Sequence, residues 1–264
     1  MNHVIVVGNQ KGGVGKTTLA VLYAQWFSDI RGQRVCVIDL DTQSNASKTL
    51  RHFASAVCAA DLFGECVLEG IGGSGAPLTL IAGGKRLADI ELARPNEVIP
   101  AFCKNIERLA QRFDAIVIDT PPALGLRMSA ALIAASAVVC PIELEEYSID
   151  GVTDMLKTIF GVRQRYNPRL QLGGIVLNRF NAHSMRQKDA IRQLVERYPE
   201  YVVPARLATR SAIPEAFAKC VSVWALPKSS AREASLEVKA LFELLQRRIE
   251  AGSKEKRMAT GESV

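Results

Sequence analysis

Residues 8–20, "GNQKGGVGKTTLA", follow the apolar run His3 to Val7 and carry every residue type that a phosphate-holding loop requires. Such a loop needs small residues so that backbone N–H groups can face an anion, a lysine for β- and γ-phosphate charge, and a hydroxyl for Mg²⁺. Gly12, Gly13 and Gly15 supply the first, Lys16 the second and Thr17 the third. Thr17 also opens a helix whose positive dipole end would meet the phosphates. The spacing departs from G-x-x-x-x-G-K-[ST], because position 10 is glutamine and a second lysine, Lys11, stands ahead of Lys16.

Carboxylates recur where apolar runs end. "VIDLDTQSNAS" places Asp39 at the end of one run and Asp41 where the chain leaves it. "AIVIDTPPALG" ends in Asp119, followed by Thr120 and two prolines that keep a helix from starting early. In an open α/β sheet, ligands gather outside the carboxyl ends of the strands, so these carboxylates share an edge with the glycine-rich loop. A carboxylate at Asp119 can hold Mg²⁺ through the water shell that this ion keeps. "GIVLNRF" puts Asn178 at a further strand end. Its amide both donates and accepts, which suits an adenine edge, with a plain turn residue as the alternative. Glu143, Glu145 and Glu146 follow another strand and fit an interface cluster or a solvated loop equally well; the sequence gives them no role.

"KGGVGKTT" is the deviant Walker A motif, and over about residues 3–250 the chain resembles the ParA/MinD family of P-loop ATPases. The likeness is to ParA-type partition proteins without an N-terminal DNA-binding extension, and "NASKTLRHFASAVCAADLFG" is similar to the short IncC-type plasmid members. The resemblance implies a catalytic set of Lys11, Lys16 and Asp41. Lys11 would reach the partner's nucleotide across a homodimer interface, and Asp41 would orient the attacking water with Asp39 in support. It also implies ATP or ADP held by Lys11, Gly12, Gly13, Val14, Gly15, Lys16, Thr17 and Thr18, base contact by Asn178, and Mg²⁺ at Thr17 and Asp119. Pro121 to Gly125 looks like a switch segment sensing the γ-phosphate. Thr42 stands where the family usually has proline.

The output implied is a timer: ATP brings two chains together, the dimer binds DNA without sequence preference, and hydrolysis stimulated by a ParB-like centromere-binding partner releases it. DNA binding needs long cations on one face. Between Arg179 and Arg210 there are seven Lys or Arg against three acidic residues. Arg210 matches the family's arginine ahead of a lysine, here Lys219, although Glu215 and Ala216 come two places later than usual. The DNA candidates are thus Arg210, then Arg186 and Lys188, then Arg206. A MinD-like membrane-associated ATPase is the alternative, but "LEVKALFELLQRRIEA" reads better as a helix docked on a sheet than as a membrane anchor. A reductase bridging a cluster needs cysteines soon after Asp119, and the chain has none from there to Val139. The expected setting is cytoplasmic and nucleoid-associated, with no membrane partner.

The elements that must position these residues follow a βα rhythm. Runs such as "HVIVVG", "RVCVIDL", "LTLIAGG", "AIVIDT" and "AVVCPIE" alternate with helical patterns over 17–30, 96–112, 128–135, 148–166, 184–198 and 231–249. Several strands are continuous in Val and Ile instead of alternating, which predicts a mostly parallel, doubly wound α/β sheet with helices on both faces. At 264 residues and 48% hydrophobic the chain can bury a large core, so one domain over 1–251 is expected, with 252–264 as a disordered polar tail. The net charge of +6 biases the surface toward polyanions. No stretch approaches ~18 uninterrupted apolar residues, and the strand pattern begins at once, leaving no room for a leader. Six scattered cysteines, without a C-x-x-C pair, predict reduced thiols.

Overall fold

The computed structural model describes residues 3–68, 71–72, 76–144, 149–181 and 183–260. In chain order it contains β1 (His3–Val7), α1 (Lys16–Gln25), β2 (Val35–Asp39), α2 (Asn45–Thr49), β3 (Ala54–Cys58), β4 (Leu78–Ala82), α3 (Leu87–Ile90), α4 (Pro95–Ala110) and β5 (Ala115–Asp119). There follow α5 (Leu126–Ala134), β6 (Ala137–Ile142), α6 (Ile149–Arg165), β7 (Gln171–Phe180), α7 (Met185–Arg197), β8 (Val202–Ala208), α8 (Ala212–Ala218) and α9 (Ser229–Thr260).

Among the described residues the strands form one 8-stranded sheet in the order β3-β4-β2-β5-β1-β6-β7-β8, with parallel pairing throughout. Successive side chains of a strand point to opposite faces, so a strand covered on both sides must be apolar at every position. β1 shows this: Val4 and Val6 join one buried layer with Phe102, Met128 and Met155, while Ile5 and Val7 join the other with Leu19, Ile213 and Phe242. Helices α4, α5 and α6 therefore cover one face, and α1, α8 and α9 the other. The expected doubly wound architecture is the observed one. β3 was not legible in advance because, at the edge, its residues alternate between exposed and half-buried and include little β-branched character.

Two helix boundaries differ from the expected ones. Regular α1 ends at Gln25, and Trp26–Ile30 continue with a wider, π-type turn. A ring stack accompanies this change: Tyr23 lies 4.3 Å from Phe242 and 4.7 Å from Phe27 between centroids. At the other end, α9 continues past Ile249 to Thr260, and Ser253 Oγ donates to the Ile249 carbonyl at 2.8 Å. Residues 261–264 of the polar tail lie outside the described residues. The apolar side of α9 (Val238, Leu241, Phe242, Leu245, Ile249) is buried with residues of β7 and β8. That burial bears out the reading of α9 as a docked helix. Among the described residues no helix is long and apolar enough to cross a membrane. Cys36 and Cys140 are buried thiols, and burial pushes the Cys140 pKa up to about 12.

Candidate nucleotide site

The loop leaves β1 between two neighbours that fix its first half. Gly8 N donates to the Val139 carbonyl at 3.1 Å, and Asn9 Nδ2 to the Pro141 carbonyl at 2.8 Å. Asn9 Oδ1 accepts from Lys11 N at 3.0 Å, while Gln10 Nε2 reaches Thr158 Oγ1 on α6 at 2.8 Å. Gln10, the residue that breaks the ordinary loop pattern, thus ties the loop to a helix. The second half turns through left-handed backbone at Gly13 (φ 79°) and Gly15 (φ 89°), where a Cβ is strained. Gly15 has a further reason to lack a side chain, because an added Cβ would overlap Nδ2 of Asn178 and sit 3.1 Å from its Cγ.

Asn178 is buried, and its Nδ2 donates to the Val14 carbonyl at 2.9 Å. β7 thus carries Asn178 to the loop, and this hydrogen bond braces the turn at Val14. Lys16 is also buried and bends back so that Nζ donates to the Lys11 carbonyl at 2.7 Å. Burial lowers the Lys16 pKa, against the opposing pull of Asp119 and Asp41. Lys11 itself is half-buried, beside exposed Gly12 and Gly13. Val14 is buried, while Thr17 and Thr18 occupy the first turn of α1, half-exposed.

Parallel register sets the carboxylates. Asp39 of β2 pairs with Asp119 of β5, which pairs on its other side with Val7 at the start of the loop. Both carboxylates are fully buried. Asp39 spends its oxygens on protein donors: Oδ1 accepts from Asp41 N at 3.0 Å, and Oδ2 from Ser47 N at 2.9 Å and Ser47 Oγ at 2.7 Å. Burial raises its pKa, and these hydrogen bonds counteract it. Asp119 has neither oxygen in a hydrogen bond among the described residues. Burial, reinforced by the charges of Asp39 and Asp41, pushes it up to about 8, with the neighbouring Thr17 hydroxyl and the Lys16 ammonium pulling the other way.

Two carboxylate oxygens without a protein donor, beside a threonine hydroxyl at the phosphate loop, form a donor set that fits a hard cation. The donors are all oxygens, which suits Mg²⁺ with part of its water shell retained. Asp41 stands half-buried beyond Asp39, its Oδ1 accepting from Gln43 N at 2.9 Å. The turn that carries it closes through Ser44 N to the Asp41 carbonyl at 3.0 Å, with Thr42 in the position of the family's proline.

A chain with this left-handed glycine loop, buried Lys16 and register-paired carboxylates has relatives among known proteins. A family model described as "AAA domain" matches residues 2–172. Protein IncC of Escherichia coli is 42% identical over 255 residues, spanning 93% of this chain and 70% of IncC. The chromosome-partitioning ATPase Soj of Thermus thermophilus is 34% identical over 200 residues, 75% of this chain and 78% of Soj. The chain belongs to the ParA/MinD family of P-loop ATPases. A crystal structure of cobyrinic acid a,c-diamide synthase from Mycobacterium smegmatis with bound ATP analog and magnesium superposes with a TM-score of 0.74 at 25% identity, covering 96% of this chain and 97% of that one. This ParA/MinD-family ATPase takes ATP or ADP with Mg²⁺.

Three residues near this ATPase's site escaped the sequence reading. Ser47 clasps Asp39 and also accepts from Gly83 N through its hydroxyl at 2.9 Å. Gly83 itself passes so close that an added Cβ would sit 2.8 Å from the carbonyl oxygens of Asp39 and Asp41. Arg127, one residue ahead of the helix expected over 128–135, is buried in α5 with its Nη1 on the Leu40 carbonyl. Only the glycine left a signal, as the end of the "LTLIAGG" run.

The basic candidates separate by environment. Arg186 and Lys188 are exposed in the first turn of α7, whose start is capped by Ser184 Oγ accepting from Gln187 N at 3.2 Å. Arg206 lies 4.4 Å above the Phe180 ring. Arg210, the first choice on sequence, is not presented as an open cation: α9 brings Glu233 to 2.6 Å and Glu237 to 2.5 Å from its guanidinium. Its pKa is raised, chiefly by the Glu237 hydrogen bond. Glu143 pairs with Arg179 at 2.8 Å, while Glu145 and Glu146 lie outside the described residues.

Proposed function

We propose that the protein is a partition ATPase: Mg-ATP joins two copies, the dimer holds DNA through its phosphates, and hydrolysis dissolves the dimer. The observation that carries this reading is the loop itself, in which Lys16 turns inward while Lys11 sits at the rim beside exposed Gly12 and Gly13. A lysine at the rim can reach a phosphate bound by a second chain, so that the dimer is stable only with a triphosphate between the copies. The likeness to IncC and Soj supports the same reading.

In the reaction, Lys16 and the backbone N–H groups of 12–18 hold the β- and γ-phosphates, and Asp41 orients the attacking water. Thr17 and Asp119 would hold Mg²⁺, which would supply charge neutralisation at the phosphates. Because phosphoryl transfer asks little covalent chemistry of the protein, orientation of the water decides the rate and leaves room for stimulation by a ParB-like partner. Arg186 and Lys188 lead the DNA contacts; Arg206 contributes, and Arg210 joins once its two glutamates let go. The ATPase works on the nucleoid as a single domain over 1–251. The buried apolar side of α9 gives no support to membrane attachment.

The deciding test uses the Asp41→Ala variant with saturating Mg-ATP in sedimentation, DNA mobility shift and liposome flotation. Dimers that shift DNA in a salt-sensitive way and fail to float are expected. Single chains, or flotation without a DNA shift, would overturn the proposal.

A further inference from the structure

One ion pair between buried Arg127 and half-buried Glu91 ties the Asp41 turn to the segment that follows Asp119. Arg127 on α5 is 8% exposed, and its Nε donates to Glu91 Oε1 at 2.7 Å. Its Nη1 donates to the carbonyl oxygen of Leu40 at 2.8 Å. That carbonyl belongs to the peptide linking Leu40 to Asp41. The same peptide's N–H, from Asp41, is held by Asp39 Oδ1 at 3.0 Å, and Leu40 N donates to the Asp119 carbonyl at 2.9 Å. Both sides of a planar unit are thus fixed, and with it the Cα from which the Asp41 side chain departs.

Glu91 holds the other end. Its Oε2 accepts from Leu126 N at 2.7 Å, capping the start of α5 where 121–125 ends. Gly125 lies so close to this carboxylate that an added Cβ would sit 2.6 Å from Glu91 Cδ. Although Glu91 loses solvent, the Arg127 and Leu126 bonds bring its pKa below the usual value. A charged pair with one partner buried and the other 30% exposed contributes little stability by itself, which directs attention to what it positions.

We infer that Arg127 is a positioning residue for ATP hydrolysis: held by Glu91, it fixes the Leu40–Asp41 peptide and couples the aim of the Asp41 carboxylate to the 121–125 segment. The inference rests on the proposed role of Asp41. A lysine at 127 keeps the charge but cannot span Glu91 and the Leu40 carbonyl with one planar group.

The test is a double-mutant cycle in full-length protein, using Arg127→Lys, Arg127→Met and Arg127→Met with Glu91→Gln, each alone and with Asp41→Asn. The last Arg127 variant avoids an unpaired buried carboxylate and keeps the measurement possible if Arg127→Met folds poorly. Steady-state kcat, KM and the affinity for a non-hydrolysable ATP analogue are read for each. The expected result is a kcat lowered roughly 10- to 100-fold with analogue affinity unchanged. In the Asp41→Asn background the same changes should lower kcat less than about twofold, because coupled residues do not add. Unchanged kcat in the Arg127 variants, or an equal loss in both backgrounds, overturns the inference. If Asp41→Asn alone turns over ATP at the parent rate, the Asp41 role itself fails and the inference falls with it, an outcome distinguishable from the other two.

Discussion

Gly15→Ala tests the geometry of the loop most directly. Gly15 sits at φ 89° and ψ 26°, where a Cβ costs about 1–2 kcal/mol in left-handed backbone. The new methyl would also overlap Nδ2 of Asn178, the atom that donates to the Val14 carbonyl at 2.9 Å. Displacing that amide leaves a buried carbonyl unpaired, at a cost of about 1–3 kcal/mol. The single variant should therefore lose roughly 2–4 kcal/mol in denaturant unfolding, taking the mid-range of the two effects. Asn178→Ala alone should lose about 1–2 kcal/mol, because it removes the hydrogen bond without the strain. In the double variant the overlap is gone and the hydrogen bond is counted once, so the two losses should fall short of additivity by about 1–2 kcal/mol. Chemical denaturation of the four proteins, with nucleotide affinity measured alongside, completes the cycle. Strict additivity would refute the contact between Asn178 and the loop, and a neutral Gly15→Ala would refute the loop conformation as well.

Two further outcomes follow from the same site. Lys16→Ala should reduce ATP affinity by about 100-fold or more in equilibrium dialysis, since it removes the ammonium that turns back into the loop, and a charge-assisted phosphate contact in a dry site is worth several kcal/mol. Asp119 gives a pH dependence. Its carboxyl is raised in the fold to about 8 from an ordinary 3.8, so between those values the folded state binds more protons than the unfolded one. Stability of the metal- and nucleotide-free protein should therefore fall as pH rises through that window and level off above it. Melting in EDTA from pH 5 to 9 should show Asp119→Asn gaining on the parent as pH rises; a constant difference would mean that Asp119 is already ionised at neutral pH.

The loop was legible at once because its chemistry is local: consecutive N–H groups, three glycines, a lysine and a hydroxyl lie within residues 12–17, and no distant contact is needed to recognise them. The doubly wound sheet was legible for a related reason, since only strands buried on both faces read as unbroken Val and Ile. Asp119 could be placed at a strand end from "AIVID" alone. Its raised pKa could not, because that depends first on burial in the assembled sheet and then on the β2–β5 register that sets Asp39 beside it. The same limit hid Ser47 under Asp39, and Glu91 with Arg127 under Leu40, and it hid the two glutamates that hold Arg210. A charged residue in a sequence carries no mark of the partner that will meet it. The sequence by itself thus determined the glycine-rich loop with its lysine and hydroxyl, because neighbours along the chain build it. Tertiary packing decided which carboxylate is left without a protein donor and which arginine is held by acids, because those outcomes turn on distances between residues far apart along the chain.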